Sequence, residues 1–185
     1  KLEQQKALHG VKFFVDKQKG GKVDFAACVK IAFDQMQAGF FDAVMKIQHA
    51  GDVKEKEGKP TWTGTKRRPQ PISFTPEDAK SMEFLYATSN LYAFTFGIEY
   101  MKDRQEFDAL VRSLKFVQPE WSADGGAGAA DDADADGEEV VDEAGLAMLA
   151  DELKAVDLST LLPAHEHDFE KDDDTNHHMD FITAA

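Results

Sequence analysis

Two sets of side chains in this 185-residue chain have the chemistry to act on a substrate, and the residues around each also offer a structural use. The first is Cys28, the single thiol. A thiol attacks only as thiolate, which needs a helix N-terminus, a cation or a paired His to lower its pKa, and an open approach. Cys28 instead shares a helical stripe with Phe25, Ala32 and Phe33; its nearest charged neighbours are Asp24 and Lys30, and no His lies within a turn. Its expected role is that of a small buried hydrophobe. The second set is His165, His167, His177 and His178, interspersed with Asp168, Glu170, Asp172, Asp173 and Asp174. The spacing contains no His-Glu-x-x-His, no Cys pair and no EF-hand loop, so no metal site is expected. A solvated acidic turn, whose charge favours the positive end of a following helix, accounts for it. Neither a Gly-x-Ser-x-Gly elbow nor a glycine-rich phosphate loop occurs, so no catalytic, cofactor-binding or metal-ligating residue is assigned. Trp62 and Trp121 are expected to anchor loops to a helical core.

The elements that must carry these residues read as mainly α. Leu8, Val11, Phe14 and Val15 give an amphipathic helix closed by Gly20-Gly21. Asp24 caps a second, whose apolar face runs from Phe25 to Met36, is interrupted at Gly39 and resumes from Phe40 to Ile47, as two helices or one bent helix. Residues 51–76, with Gly51, Gly58, Gly64 and four prolines, read as an ordered loop or short strand region. Thr75 with Pro76 then predicts a helix start, and Met82 to Phe96 is apolar on too many faces for anything but a central buried helix stopped by Gly97. Another helix follows from Asp103, carrying Phe107, Leu110, Val111 and Leu114. Residues 122–139 are almost entirely Ala, Gly, Asp and Glu, which predicts a disordered acidic insert. A helix from Val140 to Val156, an extended stretch through Pro163 and a short helix capped by Thr175 complete the chain. The pattern is still running at Ala185, which suggests a boundary inside a larger protein.

The net charge of −14 is unevenly placed: residues 1–119 hold 19 basic and 15 acidic side chains, residues 120–185 hold 2 and 20. An acidic excess of that density repels phosphate backbones, so nucleic acid is not an expected partner. No apolar run reaches the roughly 20 residues that span a bilayer, so no membrane association is expected. One Cys and no secretory leader favour a reducing compartment.

The segment Asp168-Phe169-Glu170-Lys171-Asp172-Asp173-Asp174-Thr175-Asn176-His177-His178-Met179-Asp180-Phe181-Ile182 closely resembles the Phe-Glu-Lys-Asp-Asp-Asp-(Ser/Thr)-Asn-x-His-(hydrophobic)-(Asp/Glu)-Phe-Ile motif of ubiquitin-activating enzymes. Two further blocks agree in order. Trp62-Thr63-Gly64-Thr65-Lys66-Arg67-Arg68-Pro69-Gln70-Pro71 is similar to the family's Phe-Trp-Ser-Gly-x-Lys-Arg-x-Pro-x-Pro. Ala87-Thr88-Ser89-Asn90-Leu91-Tyr92-Ala93, followed by Phe96-Gly97-Ile98, is similar to Ala-Ala-Ala-Asn-Leu-x-Ala followed by Tyr-Gly-(Ile/Leu). Phe25-Ala26-Ala27-Cys28-Val29 resembles Trp-Ala-Asp-Cys-Val.

The resemblance implies the second catalytic-cysteine half-domain of such an enzyme, a helical half-domain with residues 1–121 as core, 122–139 as flexible insert and 140–185 completing it. In that family the full domain takes ubiquitin from ubiquitin adenylate as a thioester and passes it to a ubiquitin-conjugating enzyme. The family nucleophile lies in a Cys-Thr-Leu-(Lys/Arg)-x-Phe-Pro motif upstream, which these residues lack, and Cys28 matches a later, non-catalytic Cys. The resemblance thus implies an inactive fragment of a ligase, with Mg-ATP bound only by the parent. The partners it implies are ubiquitin, the conjugating enzyme and the parent's adenylation domains, and the location cytoplasmic and nuclear. The rival expectation is a non-catalytic helical interaction module with an acidic tail.

Overall fold

Asp24 begins the helix that organises the molecule: in a computed structural model that describes residues 2–19, 21, 23–123, 143–173 and 175–185, its carboxylate accepts the Ala27 N–H at 2.8 Å. Helix α1 (Leu2–Gln18) precedes it. Helix α2 (Phe25–Met36) does not stop at Gly39; a π-helical turn, Gln37–Asp42, carries it into α3 (Ala43–Lys56) as one continuous helix. The Ala43 N–H reaches back five residues to the Ala38 carbonyl, and Ile72 of the following loop donates to the Phe40 carbonyl at 3.0 Å.

Three expectations need correcting in this region. Residues 51–56 are helical, not loop, and among the described residues there is no strand. Gly51, one of the glycines that mark 51–76 as a loop in the sequence, is the seat of Trp62: a Cβ there would overlap the indole ring. The helix that follows, α4 (Ala79–Thr95), is capped not by Thr75 but by Asp78, which accepts the Ser81 N–H at 2.8 Å. Pro76 and Glu77 form the turn before it, pinned by Arg112, which donates to Glu77 at 2.9 Å and to the Pro76 carbonyl at 3.2 Å.

Helix α4 is the buried centre, with every residue from Phe84 to Asn90 enclosed. Its small residues Ser89 and Ala93, each 0% exposed, allow close approach to α2, where Cys28, Val29 and Ala32 are likewise sealed. After Gly97, whose φ of +64° lets the chain turn back, Asn90 ties down the loop: its amide donates to the carbonyls of Tyr86 (3.1 Å) and Met101 (3.3 Å) and accepts the Met101 N–H at 2.9 Å. Helix α5 (Arg104–Leu114) starts where the sequence puts it, is capped by Asp103, and buries Phe107 and Val111. Helix α6 (Glu143–Lys154) lies on α1, where Glu152 meets Lys12 at 3.0 Å. A 3₁₀ turn at Leu158–Thr160 interrupts the stretch read as extended, and α7 (His178–Ala184) packs on α4. Thr175 does not cap α7; Asn176 accepts the His178 N–H at 2.9 Å, while His177 occupies the cap position at φ +62°. Residues 124–139 of the acidic insert, with Val140 and Val141, lie outside the described residues. No helix among the described residues is long and apolar enough to cross a membrane.

Candidate functional site

Cys28 sits where α2 faces α4, 0% exposed, in a cluster with Val23, Ile31, Ala93 and Phe96. Burial first, then the Asp24 carboxylate, pushes its thiol up to about 12. At neutral pH the thiol stays protonated, and at 0% exposure it offers no route to an acyl donor.

The acidic motif is a self-bonded turn. Glu170 accepts the Asp172 N–H at 3.1 Å, Asp173 accepts the N–H of Thr175 at 2.8 Å and its hydroxyl at 2.6 Å, and Asn176 donates to the Glu170 carbonyl at 2.8 Å. The Thr175 bonds hold the Asp173 carboxyl below its usual range. Asp168, Glu170, Asp172 and Asp173 are exposed, in line with a solvated turn. The histidines depart from it. The His165 N–H donates to the Thr95 carbonyl at 2.9 Å, and its ring lies over Gly97 so closely that a Cβ would stand 2.7 Å from Nε2. His167 is wedged against Phe94, with ring centroids 4.5 Å apart, and its two nitrogens are 3.1 Å from the Leu91 carbonyl and 3.1 Å from His178 Nε2. Burial lowers the His167 pKa; the Leu91 carbonyl opposes this and His178 adds to it. His177 packs between Tyr86 and Tyr100 with Asp180 at 3.2 Å from its Nδ1. Among the described residues no three His, Cys, Asp or Glu side chains converge as metal ligands.

Two of the recognised blocks are therefore one structure: the Ala87–Thr95 segment of α4, with Gly97 after it, is the platform on which His165, His167 and residues 177–181 dock, completed by Phe181 against Phe84 at 5.5 Å. The Trp62 block lies elsewhere, on α3, where the indole N–H meets Asp52 at 3.3 Å and Arg68 pairs with the same carboxylate at 2.7 Å. Trp121 reaches the same helix at His49, centroids 5.5 Å apart. Both tryptophans thus tie loops to α3.

Sequence reasoning missed a pocket of ≈ 370 Å³ between α2, α4 and the docked segment, walled by Gln35, Thr88, Leu91, Tyr92, His167 and Phe169 among others. The signal was available in the spacing of Thr88, Leu91, Tyr92 and Thr95, one face of α4 adjoining the face that packs on α2.

A family model described as the SCCH domain of ubiquitin-activating enzymes matches residues 1–185. The Ubiquitin-like modifier-activating enzyme 1 of Oryctolagus cuniculus is 30% identical over 165 residues, which are 87% of this chain and 15% of that protein. The Ubiquitin-activating enzyme E1 1 of Candida albicans is 29% identical over 168 residues, 87% of this chain and 16% of its own length. The Ubiquitin-like modifier-activating enzyme 6 of Homo sapiens is 27% identical over 175 residues, 88% and 16%. The chain thus spans about one sixth of the relatives it matches. With a match from end to end, and with the platform helix and the docked acidic motif joined in one unit, this chain belongs to the ubiquitin-activating enzyme SCCH-domain family.

Proposed function

We propose that this chain works as the part of a thioester-forming domain that does not carry the nucleophile, within an ATP-dependent ubiquitin-activating enzyme. The observation that carries the reading is the family match over residues 1–185. In this role the domain shapes the wall beside the thioester site and the surfaces that face ubiquitin and the incoming ubiquitin-conjugating enzyme. The adenylation domains of the parent bind Mg-ATP and make ubiquitin adenylate; a thiolate upstream of these residues attacks its carbonyl and expels AMP. The chain itself binds no nucleotide, nucleic acid or membrane, is inactive alone, and works in cytoplasm and nucleus. The sealed position and raised pKa of Cys28 support the assignment of the nucleophile elsewhere.

The test is a non-reducing gel with Mg-ATP and ubiquitin on the parent enzyme, comparing Cys28→Ser with a variant of the upstream Cys. The Cys28→Ser protein should keep its thioester band. If the band vanishes while the protein still folds and forms ubiquitin adenylate, Cys28 is the nucleophile and the reading falls. Calorimetric titration of the isolated chain with Mg-ATP should be flat; saturable heat would move nucleotide binding into it.

A further inference from the structure

The Trp62 block carries a charge that nothing in the fold uses. Residues 54–68 hold six cations, Lys54, Lys56, Lys59, Lys66, Arg67 and Arg68, against Glu55 and Glu57, in a chain whose net charge is −14. The nearby carboxylates are already engaged. Asp52 accepts from Arg68 at 2.7 Å and from the Trp62 indole at 3.3 Å, Glu55 accepts the Trp62 backbone N–H at 3.1 Å, and Glu57 meets Lys59 at 3.2 Å. Lys56, Lys66 and Arg67 are exposed and pair with no carboxylate among the described residues. The same bonds fix where these cations stand. Trp62 is held to α3 at Gly51, Asp52 and Glu55, and Arg68 is held at Asp52, so residues 63–67 form a short loop closed onto one turn of that helix. Gly64, at φ +61°, turns the loop, and the Lys66 N–H closes on the Thr63 carbonyl at 3.0 Å. Lys56 lies one turn beyond Asp52 on the same face of α3. Lys66 and Arg67 from the loop and Lys56 from the helix therefore flank one patch.

An exposed cation beside its own carboxylate is a solvated pair, whereas three without one, on a backbone pinned from both ends, make a surface short of negative charge. Because that backbone is fixed before any partner arrives, docking has little left to order except the side chains. The complement is anionic, and the choice lies between carboxylates and phosphates. A strand of nucleic acid carries its charge along its whole length, so most of it would lie outside the patch, against a chain of net charge −14. An acidic segment of a protein carries its charge only where the patch is. We propose that the face formed by Lys56, Lys66 and Arg67 docks an acidic segment of a partner protein, whose carboxylates meet these three cations while Arg68 goes on holding the loop to Asp52. The surface needs nothing from the thioester reading and stands or falls by itself.

The experiment titrates the ¹⁵N-labelled 185-residue chain at neutral pH with a capped peptide of alternating Glu and Gly, then with its Gln counterpart and with an oligothymidylate of the same charge. The Glu peptide should give saturable shifts at the Lys66 and Arg67 amides and at the Trp62 indole N–H, weaker as salt is added, and the Gln peptide none. Lys66→Glu combined with Arg67→Glu should weaken binding about tenfold, and Lys56→Glu, on the helix, about threefold. Lys30→Glu combined with Lys102→Glu, at exposed cations on other elements, should change nothing. If the double reversal at 66 and 67 unsettles the loop, the Trp62 indole resonance reports it, and Lys56→Glu, which leaves the loop untouched, carries the test. The proposal is overturned if the shifts do not saturate or fall elsewhere, if the Glu and Gln peptides bind alike, or if reversal at Lys30 and Lys102 weakens binding as much as reversal at Lys66 and Arg67. It is overturned as well if the oligothymidylate binds as tightly as the Glu peptide, which would make the patch a phosphate site.

Discussion

Cys28 and His178 are both buried against adjoining faces of α4, and they show two ways of joining a segment to the same helix. On the α2 side, Cys28 packs with Ala93 and Phe96, Val29 and Ala32 pack with Leu85 and Tyr86, and the joint is held by area and close approach. On the other, residues 165–181 are held by ring nitrogens and backbone groups: His165 to Thr95, His167 to Leu91, His178 to His167. The first kind of joint is indifferent to pH and leaves nothing unpaired. The second depends on protonation and leaves His178 Nδ1 and Thr88 Oγ1 buried without partners. One helix can thus carry a fixed wall and an adjustable one.

The largest effect expected from breaking this contrast lies in the packed core. Phe107 is 2% exposed and meets the ring of Tyr86 at 5.1 Å and that of Phe25 at 6.5 Å. Phe107→Ala should lower the unfolding free energy by about 3–5 kcal/mol in urea titrations. A loss below about 1 kcal/mol would mean that the core refills and that packing is not what fixes it.

Asn90→Leu comes next. It strands the N–H and C=O of Met101, and a loss of about 2 kcal/mol, with faster hydrogen exchange at Met101, is expected. Unchanged exchange there would show that the loop is held by something other than Asn90.

Cys28→Ser sharpens the contrast with a smaller change, about 1 kcal/mol or more, from a hydroxyl placed in the apolar cluster of Val23, Ile31, Ala93 and Phe96. Full stability would mean that the serine finds a partner, and the fixed wall would be less apolar than it looks.

The smallest effect separates the joints by pH. The folded His167 pKa lies below its ordinary 6.5, so the unfolded chain takes up the proton first. Its contribution is complete above 6.5 and is lost as pH falls below that and through the lowered folded value. Hydrogen exchange between mildly basic and mildly acidic pH, still above the carboxylate range, should show residues 165–181 loosening while α2 stays protected. Equal loosening of both would erase the distinction.

The cap at Asp24, the start of α5 at Asp103, the buried α4 and the apolar setting of Cys28 were legible because each is written locally, in a side chain three residues from its partner or in a stripe along one helix. Gly51 was not, because its meaning depends on Trp62, which arrives from a loop. Thr75 and Thr175 both had the right chemistry for a cap, and each lost the place to a neighbour better aligned, Asp78 in one case and Asn176 with His177 in the other. The family resemblance singled out both α4 and the acidic motif, yet their contact was invisible, since the pairing of His167 with Leu91 spans 76 positions of chain.

The π-helical turn at Gln37–Asp42 has a consequence for how this fold tolerates change. A π turn takes in one residue more than an α turn, so everything beyond it is rotated by about 100° from where an unbroken α-helix would put it. The turn acts as a crank between two lever arms: α2 is phased to meet α4, α3 is phased to set Gly51 beneath Trp62, and the two requirements need not share a period. Deleting one residue within 37–42 would straighten the crank, leave α2 in register, and swing the Trp62 seat away from its indole.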